Sequence, residues 1–266
     1  GIFRLPQYAD AFARGDINPR ATLDVVNRGP ATALVDGDNG MGHLAVARAV
    51  ALALELARTS GVAWVGTRNT NHAGAGGVYV AQIAAQGMVG LFAAVSGFNQ
   101  MAPWGGAEPL LGTNPLAIAI PAGTHPPVIV DTATSVASAG AIKARALRGE
   151  PVPAGWMIDP ATGADVIDAT KMMQSLLAPI GGHKGSGLAL ALGLLAGPLN
   201  GAAFGGDIPR EGSGFGVNSG HFVIALDVAR FGDAGTFAAT IDRHAEALAA
   251  SQPLPGAGAV RVPGAA

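Results

Sequence analysis

The sequence predicts an α/β protein that is not built on a Rossmann domain. Three observations carry this. Long Ala- and Leu-rich stretches with helical apolar spacing are interspersed with short runs rich in Val, Ile and Phe. Their order is not a regular βαβ alternation. No G-x-G-x-x-G follows the first strand, and the nearest match, Gly74-Ala-Gly76-Gly77, fails at its final position. With 266 residues, 49% of them hydrophobic, the chain can bury a large core in one domain or two intertwined lobes.

Taken in order, apolar residues at 2, 3, 5, 9 and 12 predict a short helix over Ile2 to Arg14, interrupted near Pro6. Thr22 to Arg28 and Thr32 to Asp36 read as strands, followed by a turn over Asp36-Gly-Asp-Asn-Gly40. Gly42 to Ser60 is a strong helix with Arg and Glu on one side. Gly61 to Thr67 is β-rich, and Gly77 to Gln86 is a second helix. Strands are expected at Met88 to Val95, Leu116 to Ile120 and Val128 to Asp131, divided by glycine and proline loops. Thr134 to Leu147 is expected to be helical, Leu188 to Leu195 a buried helix and Phe222 to Asp227 a strand. Phe237 to Ala250 reads as an amphipathic helix, with Arg243 and Glu246 opposite Phe237, Ile241 and Leu248.

Composition narrows the function. A net charge of −2 leaves no basic footprint for nucleic acid. The absence of cysteine removes disulfides and thiolate chemistry. The run Gly187 to Leu199 is apolar but falls short of the ~20 residues a membrane span needs. No leader-like segment is evident, and we expect a cytoplasmic protein. The opening GIFRLPQY has no initiator Met and reads as mid-element, so an earlier natural start is expected. No P-loop, zinc signature or nucleophile elbow occurs, and no metal site is expected.

Several stretches could carry chemistry. Gly181 to Leu192, GGHKGSGLALAL, sets a lysine among glycines before an apolar segment. Glycines let backbone N–H groups approach a ligand, and Lys184 can act as a point charge on a phosphate. The same stretch could be only a loop before a buried helix. Thr67 to Gly74 is a polar cluster in which His72 could move protons or merely cap the next helix. Asp131-Thr-Ala-Thr-Ser135 offers hydroxyls to a sugar or phosphate, although Thr134 or Ser135 could equally cap a helix. Arg4 and Tyr8 lie four apart, so a helix puts them on one face, and an arginine fork matches a carboxylate. His43, His125, His221 and His244 are isolated and read as structural or surface residues.

Together these stretches resemble the malate/L-lactate dehydrogenase family of NAD(P)-dependent oxidoreductases. The resemblance covers the whole chain, from GIFRLPQY through RNTNHAG, MAPWGG, GTNPLAIAIP, DTATSVASAGAIKARALRGEPVPAGW, GGHKGSGLAL and NSGHFVIALD to VRVPG. It implies a non-Rossmann two-lobe fold. The cofactor lobe, 87–235, would hold a largely antiparallel sheet, and the substrate lobe, 1–86 with 236–266, would be built from both chain ends. It implies a homodimer with the active site near the lobe interface.

Residue by residue, the resemblance makes His72 the proton donor or acceptor, and sets Arg4 and Tyr8 on the substrate carboxylate. Ser96, Asp131, Thr132, Ala133, His183, Lys184, Pro263 and Gly264 match its contacts to NAD or NADP. Ala265 replaces an acid common in the family, and Ala73 replaces a phenylalanine, which implies a roomier pocket. The family's Ser-His, a second candidate acid, would immediately precede Gly1. The reaction implied is hydride transfer between NAD(P) and C2 of a small 2-hydroxy or 2-keto acid. Two rivals stand beside it: reduction of a cyclic imine carboxylate such as Δ1-piperideine-2-carboxylate or Δ1-pyrroline-2-carboxylate, and non-catalytic binding on the same scaffold.

Overall fold

The computed structural model describes residues 4–265. Helix α1 (Leu5–Arg14) carries Pro6 in its first turn, where no backbone N–H is needed. The proline therefore starts the helix and does not interrupt it. Gly15, left-handed at φ 79°, closes α1 by donating to Ala11 and Phe12 carbonyls.

Strands β1 (Asp24–Arg28) and β2 (Thr32–Gly40) form an antiparallel pair. The turn expected over Asp36–Gly40 is instead the irregular end of β2. Asp38 and Asn39 adopt φ of 48° and 53°, and the β2 register shifts between Asp36 and Gly40. Helix α2 (Gly42–Ser60) occupies the span that its apolar spacing predicts, and β3 (Val62–Thr70) and α3 (Gly77–Ala84) follow it.

Next come β4 (Met88–Ala94), β5 (Leu116–Ile120) and β6 (Val128–Thr132). Helix α4 (Ala139–Leu147) begins later than expected, because Ser138, not Thr134 or Ser135, accepts from the Ala141 N–H as its cap. A small ladder of β7 (Met157–Ile158) and β8 (Leu176–Leu177) follows. Helix α5 (His183–Ala196) contains the HKGSG stretch in its first turns, so that stretch is not a loop before a helix. Strand β9 (Ser219–Asp227) and helix α6 (Ala234–Ala249) complete the order.

One seven-stranded sheet, ordered β1-β2-β3-β9-β4-β5-β6, organises the chain and runs continuously across Gly87. Each neighbouring pair is antiparallel except β2 with β3. Alternation along β4 and β9 divides the core between the two faces. Phe92 and Val223 pack with Val46, Leu52 and Ile83 beneath α2 and α3. Val95 and Phe222 face Leu192 and Ala196 of α5. Burying a side chain such as Leu52 or Ile83 contributes roughly 1.5–3 kcal/mol. A third cluster, with Met101, Ile142, Met157 and Leu177, lies around α4 and the short ladder.

Helix α6 buries no residue fully and is tied to the 123–125 turn by two carboxylates, Asp242 and Glu246, the latter 2.7 Å from His125 Nε2. Asp242 accepts from the backbone N–H groups of Gly123, Thr124 and His125 at 3.0, 2.7 and 3.2 Å. The Thr124 hydroxyl adds a bond at 2.9 Å. These donors, the Thr124 N–H foremost, hold the Asp242 pKa down at about 2 against an ordinary 3.8. A lowered carboxylate pKa stabilises the contact above pH 3.8, and the gain is lost as pH falls through 2. Asp242→Ala is expected to expose the Gly123–His125 amides to hydrogen exchange at neutral pH. Exchange like that of the unaltered protein would contradict this role.

Candidate active site

The sheet brings α1 and the end of β3 together. Arg4 stands at the head of α1 and Tyr8 one turn on, so both face the His72 loop. The Tyr8 hydroxyl lies 2.6 Å from His72 Nδ1. The Gly74 N–H donates to the same nitrogen at 3.2 Å. With Nδ1 accepting, the neutral imidazole carries its proton on Nε2.

The backbone around His72 is tightly specified. Asn69 is left-handed at φ 49°, and its N–H donates to Asn218 Oδ1 at 2.6 Å. Asn71 is fully buried and saturated. Its Nδ2 donates to the Asn39 carbonyl at 2.9 Å and the Gly40 carbonyl at 3.0 Å, while Oδ1 accepts from the Gly216 N–H at 2.6 Å. A Cβ on Gly42 would collide with the Asn71 carbonyl. The carbonyl of Ala73 accepts the Tyr79 hydroxyl, and Ala73 itself lies in the main core.

Electrostatics follow from this enclosure. Burial, with the Arg4 charge second, pushes the His72 pKa down to about 3 from 6.5. Burial raises the Tyr8 pKa, and Arg4 opposes that rise. At neutral pH the pair is therefore a phenol bonded to a neutral imidazole.

His43 belongs to the same cluster and not to the surface. Its ring lies 5.6 Å from Tyr8 and 6.3 Å from His72, its pKa is lowered chiefly by burial, and its Nδ1 is buried with no partner among the described residues. Lys143 on α4 is a further half-buried cation near Arg4. Its pKa is lowered first by burial and then by that arginine. No sequence signal marks either residue, because tertiary contact alone brings them in. His221 is structural: it is buried within β9, 3.0 Å from the Thr67 hydroxyl and stacked on Phe92.

Most of the residues matched to cofactor contacts gather at the same end of the sheet as His72, a few strands along. Thr70 pairs with Ser219 and Ala94 with His221, so Ser96 follows β4 where His72 follows β3. The Ser96 N–H donates to Asn114 Oδ1 at 3.1 Å, and Asn114 Nδ2 donates to the Ala189 carbonyl in α5 at 2.8 Å. The Ser96 and Thr113 hydroxyls are 3.0 Å apart. Thr134 donates its N–H to Thr113 and accepts one from Ile180. Ser96, the 131–135 loop and the head of α5 are thus bonded into one unit.

Within that unit Asp131 is already engaged, because its carboxylate accepts the Gly77 N–H at 2.8 Å at the head of α3. The Thr132 hydroxyl donates to the Ala133 carbonyl at 3.0 Å. His183 and Lys184 are exposed on the first turn of α5, after Gly181 and Gly182 at φ 57° and 64°. The Trp104 ring meets His183 edge-on at 6.2 Å. The Pro263 carbonyl accepts from the Ile129 N–H at 3.1 Å, which lays Pro263 and Gly264 along β6. Among the described residues no hydrogen bond or ring contact joins this unit directly to Tyr8 and His72.

The α5 head suits a phosphate on its own chemistry. Lys184 is exposed with no carboxylate within ion-pair distance among the described residues. It stands at the positive end of a 14-residue helix. The head of α5 and the buried Tyr8–His72 pair flank the same end of the sheet, and fold and site together are those of an oxidoreductase of the dehydrogenase class. The chain belongs to the malate/L-lactate dehydrogenase family, which it matches over residues 1–266.

Its relatives span the same class. L-sulfolactate dehydrogenase of Methanothermobacter thermautotrophicus is 35% identical, over 99% of this chain and 75% of that protein. The Δ1-pyrroline-2-carboxylate/Δ1-piperideine-2-carboxylate reductase of Pseudomonas putida is 35% identical, over 77% of this chain and 60% of its own length. The crystal structure of malate dehydrogenase from Entamoeba histolytica superposes with a TM-score of 0.94 at 30% identity, covering 99% of this chain and 77% of that one.

Proposed function

We propose that the protein transfers a hydride between NAD or NADP and C2 of a small 2-hydroxy or 2-keto acid. The observation that carries this reading is the 2.6 Å contact between Tyr8 and His72 beside Arg4. When bound, the nicotinamide ring gives or accepts the hydride.

Arg4 holds the substrate carboxylate in a two-pronged grip, which fixes C2 near the pair. Tyr8 and His72 give a proton to the substrate oxygen in reduction and receive one in oxidation. Their short contact orients the imidazole. Burial and Arg4 oppose the imidazolium form. A carboxylate seated on Arg4 removes the second of these, so substrate raises the His72 pKa in the complex.

Lys184, His183 and the α5 head would hold the cofactor phosphates, with Ser96, Asp131, Thr132, Ala133, Pro263 and Gly264 around them. On this reading 1–86 with 236–266 forms the substrate lobe and 87–235 the cofactor lobe. A homodimer is supported by the exposed leucines 190, 194 and 199 along α5 and the turn after it. Among the described residues no helix is long and apolar enough to cross a membrane.

Lys184→Ala is expected to raise the cofactor KM about ten- to a hundredfold, since a charge-assisted contact is worth roughly 1.5–3 kcal/mol. Folding should be unaffected. An unchanged cofactor affinity would remove Lys184 from the site. The second reading, cyclic imine carboxylate reduction, draws on the similarity to the Pseudomonas putida reductase. Nicotinamide oxidation with a panel of keto acids and cyclic imines separates the two.

A further inference from the structure

We infer that Phe215 is the specificity-determining wall of the substrate pocket and sets the size of the group that C2 can carry. This rests on the reading above. Phe215 sits in a strap, Pro209 to Val217, that is rich in glycine and lies between β-strand and helix elements. The strap is fixed at three points around the Tyr8–His72 pair. The Ser213 hydroxyl donates to Asp16 Oδ2 at 2.9 Å, just past the end of α1. The Gly216 N–H donates to Asn71 Oδ1 at 2.6 Å, one residue before His72. Gly214 lies against Gly97, where a Cβ would overlap the Gly214 carbonyl, one residue after Ser96.

Anchored on both sides, Phe215 has little freedom to move aside. Its ring centre lies 5.8 Å from that of Tyr8 at an interplanar angle of 60°. The same residue lines a cavity of about 570 Å³ together with Arg14, Asp16 and Gly97. Phe215 therefore acts as a partition, with the Tyr8–His72 pair on one side and open volume on the other. With the ring in place the pocket admits 2-keto acids with short, unbranched side chains. Removing it joins the site to the cavity and admits longer or branched ones.

The test measures kcat/KM of the full-length protein for 2-keto acids whose side chains grow from methyl to isobutyl. Phe215→Ala and Phe215→Leu are expected to raise the long-to-short ratio by roughly tenfold or more, since one methylene in a pocket is worth about 10–200-fold. Phe215→Trp is expected to lower it. Thermal melting and cofactor fluorescence monitor folding and the cofactor contacts, which should not change. If Phe215→Ala does not fold, the Leu and Trp variants must still shift the ratio in opposite directions. A ratio unchanged in the folded variants, with the unaltered protein active, overturns the inference alone. Absence of turnover of every keto acid by the unaltered protein overturns the hydride-transfer reading, and the inference with it.

Discussion

Replacing His72 with alanine is expected to slow turnover by about 10²–10⁴-fold, the usual worth of a positioned acid or base. Cofactor affinity should be preserved, because the α5 head shares no bond with the Tyr8–His72 pair. The pH dependence sharpens the expectation. The His72 pKa lies at about 3 in the free protein, held there by burial and then by Arg4. In the oxidation direction His72 must be neutral, and kcat/KM reports the free enzyme. That profile should show no acid limb from His72 until the pH falls toward 3. The limb in kcat should lie higher, because bound carboxylate cancels the Arg4 charge. His72→Ala should abolish the kcat limb. If it survives, the proton is carried elsewhere, and the histidine that the resemblance sets before Gly1 becomes the candidate. Tyr8→Phe removes the 2.6 Å contact without removing the imidazole, and should give a smaller loss.

Arg4→Lys is expected to lower kcat/KM for the acid about ten- to a hundredfold, although the charge is retained. A lysine ammonium cannot grip both carboxylate oxygens in the plane of a guanidinium fork, and a hydrogen bond to a charged group is worth roughly 1.5–3 kcal/mol. Arg4→Gln also removes the charge that depresses His72, so it should move the free-enzyme limb upward, whereas Arg4→Lys should leave it near its place. Cofactor affinity should hold in both variants. If the amide of the substrate reacted as well as the acid, Arg4 would not be reading a carboxylate.

Much of this fold is legible in the residues, and the exceptions have physical causes. Gly42–Ser60 is readable from end to end because its apolar spacing is unbroken and Gly61 stops it in the left-handed region. The end of β2 is not readable. Asp38 and Asn39 look like turn formers, yet they take their left-handed conformations inside a strand that continues. The HKGSG stretch reads as a loop because glycine disfavours helix. There the helix is imposed by close packing, since a Cβ on Gly185 would strike the Ile180 backbone. The insertion of β9 between β3 and β4 has no local signature at all.

The site divides in the same way. Arg4, Tyr8, His72 and Lys184 stand out by residue type and spacing. His43, Asn71, Lys143 and Phe215 do not, because each acquires its place through contacts across 29 to 207 residues of chain: His43 with His72, and Phe215 with Tyr8. Asn71 is telling: its amide is consumed by Asn39, Gly40 and Gly216, three backbones that only the finished sheet brings together.

The most direct measurement follows the C2 hydrogen itself. The full-length protein is given NAD or NADP and a small 2-hydroxy acid carrying deuterium at C2, and the reduced nicotinamide is examined by NMR. Direct transfer at the Arg4–Tyr8–His72 site predicts that the deuterium arrives at C4 of the nicotinamide, on one face of the ring, with none lost to water. Deuterium released to solvent, or reduced nicotinamide that carries only protium, would contradict it.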